Sequence, residues 1–211
     1  MTYAWVGAMN IKPLRLLTVV SALLTCSVAH AVVLSFSATL SGPAESPPNA
    51  SPGVGTASLT YDSVGHTLRV QSTFSGLLGT TSASHIHSET TLPGVGTAGV
   101  ATTTPSFVGF PLGVTAGTFD NTLDLLNLSS YNPAYVTSHG GTAASSETAL
   151  MASIAAGTAY FNIHTSAFPN GEIRGFLGPV STPDGGPTAL MLLLTTGAMA
   201  VWIRVHRAIR A

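Results

Sequence analysis

The chain has 211 residues, of which 45% are hydrophobic and only 7% are charged, and its formal net charge at pH 7 is −1. With no basic stripe to neutralise phosphates, we expect no nucleic-acid partner. The single cysteine, Cys26, excludes an internal disulfide framework and a multi-cysteine metal site.

The first 31 residues have the pattern of a secretory signal peptide. Two basic residues, an apolar stretch and a small-x-small triplet follow one another: Lys12, Arg15, Leu16–Val28 and Ala29-His30-Ala31. This order predicts export and cleavage after Ala31. A lipoprotein-type cleavage before Cys26 is the alternative, although Thr25 is a poor residue just before such a cysteine.

The region between the signal peptide and the C-terminal segment is acidic. It keeps only Arg69 and Arg174 as basic residues against seven of the eight carboxylates of the chain, since Asp184 lies in the C-terminal segment, and this gives a net charge near −5. Residues 32–180 are enough for a single domain with a hydrophobic core. We therefore expect one acidic domain over this range.

Three strands are predicted by apolar residues at every second position, at Leu34–Leu40, Ala57–Tyr61 and Leu68–Phe74. The last two are joined by Asp62-Ser63-Val64-Gly65-His66, whose Asp and Gly favour a turn and hence an antiparallel hairpin. Further strands are predicted at Ser82–His87, Gly99–Thr103, Val114–Phe119, Thr158–Thr165 and Gly171–Leu177.

Two segments do not have a strand pattern. The segment Pro43–Gly53 has four prolines and predicts a surface loop. The spacing of apolar residues over Ser146–Ala156, with Ser145 or Ser146 as N-cap and Gly157 as terminator, predicts one short helix. Seven or eight short strands and one helix favour an all-β sandwich or Greek-key barrel.

Histidines on two predicted strands lie on polar faces. The strand period of two places His85 and His87 on one face and Ile86 on the other, and it groups Tyr160 and Asn162 with His164. Three neutral imidazoles would suit Cu or Zn if the two strands are neighbours. Hydrogen-bonded surface histidines without a metal are the alternative.

Glu172 and Arg174 lie two residues apart on the last predicted strand. We expect them to pair with each other, or with His164 across the sheet, and so to fix the strand register. The sequence has no nucleophile elbow, phosphate-binding loop or His-Glu-x-x-His helix. We therefore predict that the protein is not an enzyme, with a metal-dependent redox enzyme as the less favoured alternative.

Residues 181–211 contain a turn, an apolar run and a basic cluster: Pro183-Asp184-Gly185-Gly186, residues 187–203, and Arg204, Arg207 and Arg210. A helix over 187–203 would be about 25 Å long, which just spans a bilayer core of about 30 Å. The arginines would keep the C-terminus on the cytoplasmic side. An ordinary membrane anchor is one interpretation of this pattern.

This tail resembles the PEP-CTERM class of bacterial sorting signals, and most closely its VPDSG-type variant. Pro183, Asp184 and Gly186 match the variant, Gly185 stands where Ser is common, and Thr182 replaces the usual Val. The resemblance implies processing by an exosortase-type enzyme in a Gram-negative-type bacterium. It further implies delivery to the cell envelope, cell surface or extracellular matrix.

The region between the two ends resembles the CHRD family, named for the repeated domain of chordin. The landmarks are Phe36–Gly42 followed by Glu45 and Pro47-Pro48, Gly55-Thr56-Ala57, His85-Ile86-His87, Tyr160–Thr165 and Pro169–Gly175. Ser84 departs from the family, which usually has Ala there. The resemblance implies an immunoglobulin-like or Cu,Zn superoxide-dismutase-like Greek-key fold and no general activity.

The leading functional hypothesis is an exported, non-enzymatic binding or structural domain without a cofactor. Its expected partners are the export machinery, an exosortase-type enzyme and the membrane, through residues 187–203. The first alternative is a small Cu- or Zn-binding protein, similar to superoxide dismutase, that uses His85, His87 and His164. The second is an exopolysaccharide-binding module.

Overall fold

The computed structural model describes residues 32–180, which form one antiparallel sheet with two helices. The strands are β1 (Val33–Ser41), β2 (Val54–Asp62), β3 (Thr67–Ser75), β4 (Thr81–His87), β5 (Gly117–Asp124), β6 (Tyr160–Thr165), β7 (Ile173–Phe176) and β8 (Gly178–Pro179). The helices are α1 (Pro133–Ser138) and α2 (Ala143–Ala155). The predicted β-rich class is confirmed for this part of the chain.

The strand order is β4-β6-β7-β1-β2-β3-β5, and β8 pairs with β1. All these strands belong to one sheet, which curls into a half-barrel with β4 and β5 at its two edges. The expectation of an immunoglobulin-like or superoxide-dismutase-like Greek-key fold is therefore not confirmed. The strand alternation predicted strands with one buried face, but it could not tell an open, curled sheet from a sandwich or a closed barrel.

The three most regular predicted strands lie within β1, β2 and β3, which form a meander with continuous register from Val33 opposite Asp62 to Val54 opposite Ser75. The predicted hairpin between β2 and β3 is confirmed. The Asp62 carboxylate accepts hydrogen bonds from the backbone N–H groups of Val64 (2.9 Å) and Gly65 (3.0 Å), which shapes the turn. His66 completes the turn with a φ of 50°.

The core lies between the inner face of the sheet and helix α2. Its fully buried side chains come from six strands, from α2 and from connecting segments, and they include Leu40, Leu59, Leu68, Ile86, Leu150, Ile154, Phe161, Ile163 and Ile173. Because side chains alternate along a strand, the neighbours of Ile86, Phe161 and Ile163 point to the other face of the sheet. That outer face of β4 and β6 holds the predicted histidines.

Two predicted strands are corrected. The segment Gly99–Thr103 makes only isolated bridges, Val100 with His87 and Thr102 with Tyr131, because its backbone packs across the end of β4 instead of along a partner. The strand predicted at Val114–Phe119 begins at Gly117 and continues to Asp124 as the partner of β3. A long connection therefore runs over residues 88–116.

The helices also differ from the prediction. Helix α2 begins at Ala143, and Thr142 rather than Ser145 or Ser146 is its N-cap, within a capping box shared with Ser145. Helix α1 was not predicted, although Asn132 caps it and Pro133 occupies its first turn. Six residues are too few to show a helical period in the sequence.

Among residues 32–180 no helix is both long and apolar enough to span a bilayer. The predicted signal peptide (1–31), the Pro183–Gly186 motif, the helix at 187–203 and the arginine cluster lie outside the described residues. They stay predictions from sequence.

Candidate metal centre

The pairing of β4 with β6 brings the three predicted histidines together. The register places Ala83 opposite His164, His85 opposite Asn162 and His87 opposite Tyr160. One ring nitrogen from each histidine lies within 4.8 Å of those of the other two. Sequence periodicity predicted that His85 and His87 share a face, and the structure adds His164 as their neighbour.

The other two histidines of the described region lie elsewhere. His66 lies on the hairpin between β2 and β3, and its Nδ1 is 2.8 Å from a carboxylate oxygen of Glu147. The His139 ring lies against the Tyr135 ring at the end of α1, with ring centroids 4.0 Å apart. The cluster of three is therefore specific to β4 and β6.

Backbone carbonyls fix the tautomer of each ring in the cluster. His85 Nε2 is 2.7 Å from the Pro105 carbonyl oxygen, and His87 Nδ1 is 2.9 Å from that of Ala98. His164 Nδ1 is 2.9 Å from the Pro169 carbonyl oxygen. Because a carbonyl can only accept a hydrogen bond, the nitrogen that faces it carries the proton. The second nitrogen of each neutral ring then has a free lone pair.

These second nitrogens are His85 Nδ1, His87 Nε2 and His164 Nε2. Each is buried, and each lacks a hydrogen-bond partner among residues 32–180. Buried polar atoms almost always have partners, so three converging exceptions need a physical reason. Histidines that bind a metal commonly donate their other N–H to a backbone carbonyl or a carboxylate, which is the arrangement seen here.

Burial keeps the rings neutral. It lowers the pKa of His85 to about 4, against a smaller opposing effect of the hydrogen bond to Pro105. It also lowers the pKa of His87 to about 4 and shifts the pKa of His164 downward. Neutral imidazole is the form that binds metal ions, so at neutral pH the three rings have the protonation state that a metal site requires.

We expect the metal-free protein to lose stability as the pH falls from 6.5 towards about 4. The unfolded chain protonates its histidines near pH 6.5, whereas folded His85 and His87 resist protonation down to about pH 4. The unfolded state therefore binds more protons in this window, and the stability present above pH 6.5 is lost as the pH falls. Denaturant midpoints measured across the window test this.

The control for this pH dependence must account for Glu45, which works in the opposite direction because burial raises its pKa to about 7. A His87→Gln variant keeps Glu45 and removes one of the two histidines. Its stability should fall less steeply with pH than that of the unmodified protein. Equal slopes in the two proteins would contradict the predicted role of the buried rings.

A stack of side chains lies beside the cluster. The Tyr160 ring is parallel to the His87 ring, with centroids 4.8 Å apart, and the Arg174 guanidinium lies 4.7 Å from the Tyr160 ring centroid. Arg174 donates to the carbonyl oxygens of Ala44 (2.6 Å) and Gly96 (2.9 Å). This stack holds the His87 ring in place.

The predicted pairing of Glu172 with Arg174 is corrected, because each residue has other partners. The Glu172 carboxylate accepts from Ser51 Oγ (2.6 Å) and Thr165 Oγ1 (2.6 Å), and from the backbone N–H groups of Leu78 and Gly79. Arg174 instead approaches Glu45, with Nε 3.7 Å from Oε2. Glu172 precedes β7, so the strand period does not hold it on the face of Arg174.

Sequence reasoning missed two buried polar groups beside the cluster. Glu45 is 6% exposed and its Oε1 has no partner within the described range. Asn162 is 2% exposed, lies opposite His85, and its Oδ1 also lacks a partner there. Both side chains lie against Gly171. A Cβ atom on that residue would come within 2.7 Å of each of them, so only glycine fits there. The sequence signal that could have identified Asn162 is its position on the same face of β6 as Tyr160 and His164.

Comparison with protein families identifies one match. The CHRD domain family matches residues 36–177, which include most of β1, all of β2 to β7 and all three histidines of the cluster. Comparison with curated proteins gave no match, and comparison with solved structures gave none either. The family match covers more than half of the chain and nearly all of the described sheet. The chain therefore belongs to the CHRD domain family.

Proposed function

We propose that this CHRD domain binds one transition-metal ion, Cu or Zn, through His85 Nδ1, His87 Nε2 and His164 Nε2. The observation that carries the proposal is the convergence of three buried lone pairs without partners. Imidazole nitrogen suits both metals. The backbone carbonyls that fix the tautomers supply the outer hydrogen bonds that such ligands commonly have.

The spacing of the donors is compatible with a bound ion after a small adjustment. Metal–nitrogen bonds of about 2.0–2.1 Å place three ligands about 3.3–3.6 Å apart. The donor nitrogens lie within 4.8 Å of one another, so each pair of them needs to close by about 1.5 Å at most. His164 is the least buried of the three, and rotation of its side chain can supply much of this movement.

We further propose that the domain works by binding and not by turnover, outside the cytoplasm. Burial of the donor atoms supports this role, because a catalytic centre needs an open position for its substrate. The signal-peptide pattern of residues 1–31 supports export, and the Pro183–Gly186 motif with residues 187–203 supports handling by an exosortase-type enzyme. The cell surface or the extracellular matrix is then the place of action.

Metal titration of the purified protein tests the proposal. We expect one Cu or Zn ion per chain at saturation, and loss of this stoichiometric binding in a His85→Gln/His164→Gln variant. A His139→Gln variant is the matched control, because it removes an imidazole that lies outside the cluster. Absence of stoichiometric binding, or equal binding by the cluster variant, would contradict the proposed function.

A further inference from the structure

The charge of the ligand set bears on which ion the centre selects, provided that the proposed metal binding holds. All three donors are neutral imidazoles, and within residues 32–180 no carboxylate or thiolate joins the cluster. A bound ion would therefore keep its full charge in a buried place. The cost of burying an ion rises with the square of its charge, so a monovalent ion pays about a quarter of the cost of a divalent ion.

The nearest fixed positive charge, that of Arg174, also favours a monovalent ion over a divalent ion. Arg174 lies on the far side of the Tyr160 ring from His87 and is 3% exposed. Its repulsion of a bound ion is proportional to the charge of that ion. Glu45 lies beside Arg174 and offsets part of this repulsion, but it does not reach the three donor nitrogens. The effect of Arg174 therefore adds to that of the neutral ligands and is the smaller of the two.

The number of donor nitrogens favours a monovalent copper ion, Cu(I). Structural Zn²⁺ sites have four ligands, and Cu(II) prefers a tetragonal arrangement. Cu(I) has a filled d shell and is satisfied by three donors in a plane. Each donor nitrogen has less than 1 Å² of accessible surface, so bulk water has little access to a fourth position.

From these three observations we infer that the centre binds copper as three-coordinate Cu(I), in preference to Cu(II) and Zn²⁺. The domain would then act as a carrier or sink for monovalent copper outside the cytoplasm. In this role the domain takes up copper that is already Cu(I) and releases it as Cu(I), so no electron is transferred at the centre.

Affinities of the full chain for the three ions test the inference. The dissociation constant for Cu(I) is measured without oxygen by competition with a chromophoric Cu(I) chelator, and those for Cu(II) and Zn²⁺ with chelators of known affinity. We expect Cu(I) to bind at least about 100-fold more tightly than Cu(II). Each tenfold difference in affinity corresponds to about 59 mV, so the reduction potential of the bound copper should lie about 120 mV above that of the aqueous Cu(II)/Cu(I) couple. Zn²⁺ should bind more weakly than Cu(I).

The outcomes separate this inference from the function on which it depends. Binding of Cu(II) or Zn²⁺ as tight as that of Cu(I), lost in His87→Gln and kept in His139→Gln, would overturn the Cu(I) preference and leave the metal site in place. Four ligands around the bound copper, one of them an oxygen that is lost in Asn162→Leu, would also overturn the three-coordinate Cu(I) site and leave metal binding in place. The unpartnered Asn162 Oδ1 would then be the fourth ligand. Failure of all three ions to bind would overturn both proposals.

Discussion

Replacement of His87 by alanine is expected to abolish specific metal binding and the stabilisation that the metal provides. Two imidazoles remain in this variant, and the parallel contact with Tyr160 is lost. An ion at 1,000 times its dissociation constant stabilises the folded state by about 4.1 kcal/mol. For a domain of this size that corresponds to a rise in Tm of about 8–16 °C. Thermal unfolding with and without Cu or Zn measures the rise.

The readout is the difference between the two melting temperatures of each protein, because His87→Ala also removes a buried ring and lowers the Tm of the metal-free form. A His139→Ala variant should keep the full metal-dependent rise, since His139 lies at the end of α1. If His87→Ala kept the same rise as the unmodified protein, His87 would not be a ligand.

Replacement of Glu172 by glutamine is expected to destabilise the fold by about 3 kcal/mol, because hydrogen bonds to a charged group are the stronger kind. Glu172 is 0% exposed, and its two oxygens accept from two hydroxyl groups and two backbone N–H groups. A glutamine NH₂ group would face one pair of these donors. Denaturant unfolding at neutral pH measures the loss.

The pH dependence of this contribution has a defined sign. Burial alone would raise the pKa of Glu172, but the hydrogen bonds from Ser51, Thr165, Leu78 and Gly79 together hold it below its usual value. The stabilisation is therefore complete above the ordinary pKa of a glutamate and is lost as the pH falls through the lower, folded value.

Asp120→Asn is the matched control for Glu172→Gln. It removes a carboxylate that pairs with Arg69 on the exposed face of the sheet. Exposed ion pairs are screened by solvent and contribute little to stability, so this change should cost less than Glu172→Gln. Equal effects of the two substitutions would show that the network around Glu172 is not a main support of the fold.

The regular strands could be predicted from the sequence because one of their faces is buried. In β1, β2 and β3 the side chains that pack into the core lie at every second position, and this alternation is visible over Leu34–Leu40, Ala57–Tyr61 and Leu68–Phe74. The connection over residues 88–116 has no such repeat. It is held by hydrogen bonds to β4, as between Ala101 N and Ile86 O, and these depend on the tertiary structure.

The centre was predictable only in part. The period of two places His85 and His87 on one face whatever the fold. That His164 joins them depends on the pairing of β4 with β6, which joins segments far apart in the chain. The carbonyls of Ala98, Pro105 and Pro169, which fix the tautomers, come from loops whose path no local pattern indicates.

The environment of Arg174 shows the same limit. Spacing along the strand suggested Glu172 as its partner, but local spacing does not report what the neighbouring segments supply. The turn after β1 brings Glu45 and the Ala44 carbonyl to the guanidinium, and the loops before β2 and β4 supply donors to Glu172. Both side chains thus satisfy their charges with groups remote in sequence.

X-ray absorption at the metal edge of the loaded protein tests most directly whether three imidazoles bind one ion. We expect a first shell with three nitrogen ligands at about 2.0–2.1 Å, and outer-shell scattering from three imidazole rings. The His139→Gln variant should give the same spectrum. A first shell dominated by oxygen, or scattering from fewer than three imidazoles, would contradict the assignment of His85, His87 and His164 as the ligands.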